Sequence, residues 1–275
     1  MNFDKFTIEN MSYTDFISFL QEENRPSGGK HTVREIVKNT FINESSNVLE
    51  IGCTNGFSSF EISRLIKCNV IGIDINSNSI DNAQRKLEKL KEIFPKLSFI
   101  NASAYELPFP DNKFDLIMSG NAGSFMNDQN RALKECFRVL KPYGFVATVP
   151  IWYRNKVPNK IIDSISNVIG IEIIPRSKSD WIELFQKNNF EIYYCKDCMF
   201  PNIDNKKIDE YVNFFILKEH IKCLSAELKD VIMKKWMKII KIFRDNLEYA
   251  SFSIVILRKR SYQDDEEIEL FSEMA

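Results

Sequence analysis

Over residues 48–149 the apolar positions alternate between two patterns. Short, mostly apolar runs of strand length occur at Val48–Glu50, Val70–Asp74, Leu97–Ile100, Phe114–Ser119 and Phe145–Val149, as in strands of a buried sheet. Between them the spacing becomes helical: Phe57, Phe60, Ile62, Leu65 and Ile66; then Ile80, Ala83, Leu87, Leu90 and Ile93; then Ala132, Leu133, Cys136, Phe137 and Leu140. Ser77 or Asn78 caps the second of these helices and Pro95 ends it. Lys141-Pro142-Tyr143-Gly144 ends the third. Strands alternating with helices at this interval predict a parallel sheet wound on both sides by helices.

Outside this block the pattern is less regular. A helix is expected over Ser12–Glu23, with Ser12 and Asp15 at capping-box spacing and Phe16, Phe19 and Leu20 on the face that packs on the main domain. The turn Asn24–Thr32 leads into a helix through Val33, Ile36 and Val37. After Ile151 come a helix-like run, Ile161–Ile169, a helix opened by Ser179-Asp180-Trp181, a strand at Phe190–Tyr194 and a last strand at Phe252–Leu257. Between those two strands lies a largely helical insertion, Cys195–Ala250, read as a lid.

The stretch Val48–Asp74 carries the first chemistry. A strand ends at Glu50, Gly52 and Gly56 bracket a polar turn, a helix follows, and the next strand closes on Asp74. There a carboxylate can accept the hydroxyls of a ribose lying across the strand ends. The glycines could also serve only a tight strand-to-helix turn. Thr54 stands where a dinucleotide loop has its middle glycine, and a side chain there crowds a pyrophosphate, which favours a cofactor without one. Gly28-Gly29-Lys30-His31-Thr32 faintly echoes a phosphate loop but lacks the first glycine and a preceding strand. It reads as a helix-entry turn, or as a turn over the cofactor mouth that contributes Lys30, His31 or Thr32.

Charge removes several classes of function. Lys plus Arg (37) and Asp plus Glu (38) leave −1, so the balance holds no general attraction to nucleic acid or membrane. No apolar run approaches bilayer length and the first residues do not read as a secretory signal. A cytoplasmic protein with reduced cysteines is expected. A stripe of Ile232, Trp236, Ile239, Ile240, Phe243 and Leu247 is surrounded by Lys234, Lys235, Lys238, Lys241 and Arg244. A membrane or acidic partner is one reading of it; a packed helix with a solvated face is preferred. Cys195-x-x-Cys198 and His220-x-x-Cys223 have the spacing of paired zinc ligands, with buried thiols and a core or pocket histidine as the competing reading. No metal is the expectation.

Four motifs in order, Glu50-x-Gly52-Cys53-x-x-Gly56, the acid Asp74, Leu107-Pro108-Phe109-x-Asp111-x-x-Phe114-Asp115, and Arg138-Val139-Leu140-Lys141-Pro142, resemble class I S-adenosylmethionine-dependent methyltransferases over roughly residues 48–150. The resemblance implies an α/β fold: a doubly wound, mostly parallel seven-stranded Rossmann-like sheet with a helical lid inserted before the last strand. Its parts would be N-terminal helices covering the cofactor mouth (1–46), the S-adenosylmethionine-binding core (47–150), completion of the sheet (151–260) with the lid at about 196–250, and an acidic tail (261–275). It further implies that Gly52 and Gly56 admit the methionine moiety, that Glu50 supports the loop, that Asp74 binds the ribose and Ile75 packs on the adenine. Ser103 and Ala104 would sit at the adenine edge, with Ser103 where relatives often carry Asp, and Asn121 near the methionyl group. Tyr143 replaces a common glycine, which is expected to be harmless.

The expected reaction is in-line methyl transfer to an O or N nucleophile on a small, partly apolar acceptor. Ser119-Gly120-Asn121-Ala122 points away from enzymes that methylate amino groups of bases or glutamine. His31 and His220 are the candidate bases, each with a structural role as the alternative. Trp152, Tyr153 and Tyr249 are candidate pocket residues, and Phe200, Tyr211, Phe214 and Phe215 give the lid an aromatic lining. A non-catalytic S-adenosylmethionine-binding or partner-regulating module is the main alternative; a nicotinamide-dependent reductase is disfavoured by Thr54 and Glu50.

Overall fold

In the computed structural model, residues 4–259 are described. Two helices, α1 (Lys5–Asn10) and α2 (Tyr13–Phe19), precede α3 (Gly29–Lys38). The sheet then begins: β1 (Asn47–Ile51), α4 (Phe57–Ile66), β2 (Asn69–Asp74), α5 (Ser77–Glu88), β3 (Leu97–Asn101), β4 (Phe114–Ser119), α6 (Gln129–Val139) and β5 (Leu140–Thr148). The second half comprises β6 (Ile151–Tyr153), α7 (Asn159–Ile169), α8 (Lys178–Lys187), β7 (Phe190–Met199), α9 (Asn205–Ile216), α10 (Glu219–Lys222), α11 (Ala226–Leu247) and β8 (Ala250–Lys259).

The order β3-β2-β1-β4-β5 is parallel throughout, and β8 runs antiparallel beside β5. β6 continues β5 along the same edge of β8, pairing Ile151 with Phe252, while β7 pairs with the other edge. Eight strands therefore fill seven positions, because β6 is a short extension of β5 after Pro150. Successive residues feed opposite faces, as strand alternation requires. Val48, Leu116, Met118 and Ile254 join one core with α3, α4 and α5, whereas Leu49, Ile117 and Val255 join another with α6 and α8.

A third core is separate from the sheet. Ile8, Phe16, Ile17 and Leu20 from the N-terminal helices interleave with Ile208, Phe215, Ile232, Trp236 and Ile239 from the lid. The N-terminal helices thus form one cap with the lid, where packing on the main domain was expected. Asn82 of α5 still ties α2 to the sheet by donating to the Ser18 carbonyl at 2.9 Å.

Several boundaries differ from expectation for local reasons. The helix expected to reach Glu23 stops at Phe19, because Gln21 adopts φ +50° and the chain closes a Schellman turn, Glu22 N–H to Ile17 O and Gln21 N–H to Ser18 O, both at 2.9 Å. The helix after β2 is capped by Asn76 and loosens into successive three-residue turns before Pro95. β5 starts at Leu140, since Lys141–Gly144 bulge between the pairs Phe114 with Leu140 and Leu116 with Phe145. Tyr143 there takes φ +60°, a conformation that costs a non-glycine residue about 1 kcal/mol. The acidic tail lies outside the described residues. No helix among the described residues is long and apolar enough to cross a membrane.

Candidate active site

Three segments meet at the carboxyl ends of the strands. The loop after β1 turns back so that Gly52 and Cys53 donate to the Ile73 carbonyl at 2.9 and 3.0 Å. Gly52 has φ +72°, and a Cβ on it would fall 2.5 Å from Cβ of Ala122. At Gly56, φ +86°, a Cβ would meet the Phe99 ring at 2.6 Å. Both glycines are thus required by the turn and by close packing within the chain.

Asp74 ties this loop to the next helix. Its Oδ2 accepts from Thr54 N–H and its Oδ1 from Asn76 N–H, each at 2.9 Å, which leaves lone pairs on both oxygens. Burial pushes its carboxyl above the usual range. Ile75, next in the chain, is 73% exposed. Glu50 is turned away from the loop mouth and lies 5% exposed against the start of α4, accepting from Ser59 N–H at 2.7 Å and from the Ser59 hydroxyl. Desolvation raises its pKa to about 7. Asn55 leaves a buried Oδ1 without a partner among the described residues.

At the end of β4, Asn121 accepts from Ser27 N–H at 2.7 Å and donates to the Val149 carbonyl at 2.9 Å, holding the turn before α3 over the sheet. Ser103 and Ala104 sit in the turn after β3; the Ser103 hydroxyl accepts from Tyr105 N–H at 3.1 Å and Ala104 is buried. That turn is locked to α6 by Arg138, which donates to the carbonyls of Leu107 (2.9 Å) and Phe109 (2.7 Å) while pairing with Glu135. The two motifs, Leu-Pro-Phe and Arg-Val-Leu-Lys-Pro, are therefore the two sides of one clasp.

A cavity of about 1300 Å³ opens beside this loop, bounded by Asn55, Asn121 and Ser27 on the sheet side and by Phe200, Tyr211, Phe214, Phe215 and Trp236 on the lid side. The segment after α2 crosses it. Asn24 donates to the Thr54 hydroxyl at 3.1 Å and the Asn55 amide donates to the Glu22 carbonyl, so this segment is fastened to the loop. Glu22 presents its carboxylate to the cavity, where it accepts from Tyr211 Oη at 2.9 Å and from Asn24 N–H. Burial pushes its pKa up, and these two hydrogen bonds, with Lys218 nearby, act against the rise. Burial likewise raises Tyr13 and Tyr211 well above the usual phenol range.

The four lid aromatics singled out from the sequence all line this cavity; the candidate bases and the three pocket residues do not. His31 is exposed on α3. His220 Nε2 lies 2.9 Å from the Phe19 carbonyl. A carbonyl only accepts, so this nitrogen carries the proton and caps the end of α2. Lys218 does the same for the carbonyls of Leu20 and Gln21. Trp152 Nε1 donates to Ser253 at 2.8 Å, Tyr153 Oη to Asn246 at 2.9 Å, and Tyr249 packs at the start of β8 through its N–H to Asn246 O at 3.1 Å. Tyr13, Glu22, Asn24, Arg25, Asn55 and Phe125 line the cavity without having been marked by any motif.

The zinc arrangement fails on strand geometry. β7 extends through Met199, so Cys195 and Cys198, three residues apart, point to opposite faces and pack on different cores. Cys223 and His220 belong to the lid. Among the described residues no group of three or more His, Cys, Asp or Glu side chains is gathered for a metal ion.

A family profile described as "Methyltransferase domain" matches residues 49–148. The ubiquinone/menaquinone biosynthesis C-methyltransferase of Rickettsia typhi is 31% identical over 180 residues, spanning 62% of this chain and 70% of that enzyme. A sterol 24-C-methyltransferase of Aspergillus fumigatus is 31% identical over 169 residues, which take in 57% of this chain and 42% of the enzyme. Among solved structures, that of the MccD protein superposes with a TM-score of 0.73 at 25% identity, covering 86% of this chain and all (100%) of the other. The domain match falls on β1 to β5 and the loops at their carboxyl ends, so the chain belongs to the class I S-adenosylmethionine-dependent methyltransferases, and S-adenosylmethionine is its methyl donor.

Proposed function

We propose that the protein methylates an O or N nucleophile of a small, partly apolar molecule held between the cap and the loop after β1. The observation that carries this reading is that one cavity is lined both by Asn55 and Asn121 at the strand ends and by the lid aromatics. An acceptor seated there lies beside the donor's loop, with its apolar part against the lid aromatics.

The residues of the loop suit S-adenosylmethionine. The unpartnered Oδ1 of Asn55 is an acceptor for its ammonium group. Asp74 keeps acceptor capacity for the ribose hydroxyls, and the exposed Ile75, with Ser103 and Ala104, would cover the adenine. Bound there, S-adenosylmethionine supplies a methyl group already activated by its sulfonium. Glu50 and the two glycines keep the loop in shape, and Asn121 holds the Pro26–Ser27 turn against the cavity. Glu22 takes the place foreseen for a histidine: its carboxylate faces the cavity and accepts the proton that an O–H or N–H nucleophile loses as the methyl arrives.

A carbon nucleophile is the second reading, because two relatives are named as C-methyltransferases. The non-catalytic alternative needs an acceptor site filled by the lid, and a cavity of about 1300 Å³ stands against it. The test is incubation with methyl-labelled S-adenosylmethionine and fractionated metabolite pools, with mass spectrometry of labelled products. A product labelled on oxygen or nitrogen supports the first reading and one labelled on carbon the second. Calorimetric binding of S-adenosylhomocysteine without any labelled product overturns both.

A further inference from the structure

We propose that the acceptor carries an anionic group, gripped at the far end of the cavity between α5 and α9. This rests on the assignment of the cavity as the acceptor site. The chain as a whole is nearly neutral, at −1, yet the cavity wall holds seven Lys and Arg side chains against two carboxylates, Glu22 and Glu23. Glu23 is already shared by Arg25 (2.8 Å) and Lys86 (3.2 Å). Glu22 is occupied by Tyr211 and Asn24.

The excess is concentrated in Arg85 and Lys89, with Lys207 facing the same cavity from the lid. Arg85 on α5 and Lys89, its C-cap, are one helical turn apart, a spacing at which like charges repel. Arg85 donates to Asn82 Oδ1 at 2.7 Å, and among the described residues none of the three has a carboxylate partner. An anion between them would relieve that repulsion and would engage both walls at once.

The donor's own carboxylate does not account for these charges. Arg85 and Lys89 stand roughly two and three turns along α5 from its start beside Asp74, while the loop that would hold the methionine end lies at the strand ends. The acceptor then has two parts: an apolar portion against Phe214, Phe215 and Trp236, and a phosphate or carboxylate at the basic end.

The experiment uses the full chain loaded with S-adenosylhomocysteine and four probes with the same six-carbon tail: hexyl phosphate, hexanoate, hexanol and hexylamine. Calorimetry should show hexyl phosphate or hexanoate binding at least about tenfold tighter than hexanol, with the advantage shrinking as salt rises. Preference between the two anions identifies the group. The double variant Arg85→Gln/Lys89→Gln should lose that advantage and keep the affinity for S-adenosylhomocysteine, which also reports that it is folded. Hexanol binding as well as both anions, or hexylamine binding best, overturns the proposal. Failure to bind S-adenosylhomocysteine at all would instead count against the donor-site assignment.

Discussion

Tyr211 donates its phenolic hydrogen to Glu22 at 2.9 Å, joining the lid to the segment after α2 across 189 residues of sequence. This hydrogen bond favours the ionised carboxylate and so lowers the Glu22 pKa against the upward push of burial. Tyr211→Phe removes the donor and leaves the burial. The acidic limb of the pH–rate profile should then move to higher pH, with affinity for S-adenosylhomocysteine unchanged. A profile that does not move would separate Glu22 from the proton transfer.

Asp74→Ala should weaken S-adenosylhomocysteine binding by about tenfold to a hundredfold, the range for hydrogen bonds to a charged group. Part of that loss comes through the loop, since Asp74 also holds Thr54 and Asn76. Calorimetric affinity within twofold of the parent would remove Asp74 from the ribose site.

His31 is exposed and outside the cavity. His31→Ala should leave turnover and donor affinity within about twofold of the parent, as surface substitutions do. A large fall in kcat at constant affinity would return the base role to His31.

Glu50 makes stability depend on pH. Its pKa rises from an ordinary value of 4.5 to about 7 in the folded protein because it is buried. Between those values the folded chain binds more protons than the unfolded chain, so stability is greatest below the window and falls as pH rises through it, by about 3 kcal/mol at most. Glu22 and Asp74 are raised as well and add to the same slope. Glu50→Gln should flatten the slope in urea melts at pH 5 and pH 8 without abolishing it. An unchanged slope would assign the whole dependence to the other carboxyls.

The sheet was legible because its strands are apolar runs separated by helices with caps and breakers. α4 and β4 were delimited to the residue by Phe57–Ile66 and Phe114–Ser119. The end of α2 was not, because a left-handed Gln21 stands where a glycine would have signalled a cap. The spacing of Cys195 and Cys198 fits a metal pair only if the strand has ended before them, and β7 runs through both. The cavity was the least visible part. Glu22, Asn24 and Asn55 belong to no common motif and meet only because the Schellman turn delivers the segment after α2 onto the loop. The aromatic lid was legible as chemistry, while its partnership with the first two helices depended on packing across more than half the chain.

That partnership binds two distant parts of the chain into one body. Lys235 holds the carbonyls of Ile8, Glu9 and Met11, and His220 and Lys218 hold those of Phe19, Leu20 and Gln21. The lid cannot swing while the N-terminal helices stay behind without exposing these carbonyls and splitting a core that contains Trp236. The lid and the N-terminal helices therefore form one unit, and α2 in turn is fastened to the sheet layer, where Asn82 donates to the Ser18 carbonyl and Asn76 to the Asp15 carboxylate. The left-handed Gln21, Asn24 and Gly28 shape the segment that leads from this unit back to the sheet, so Glu22, which faces the cavity, sits in the joint between cap and core.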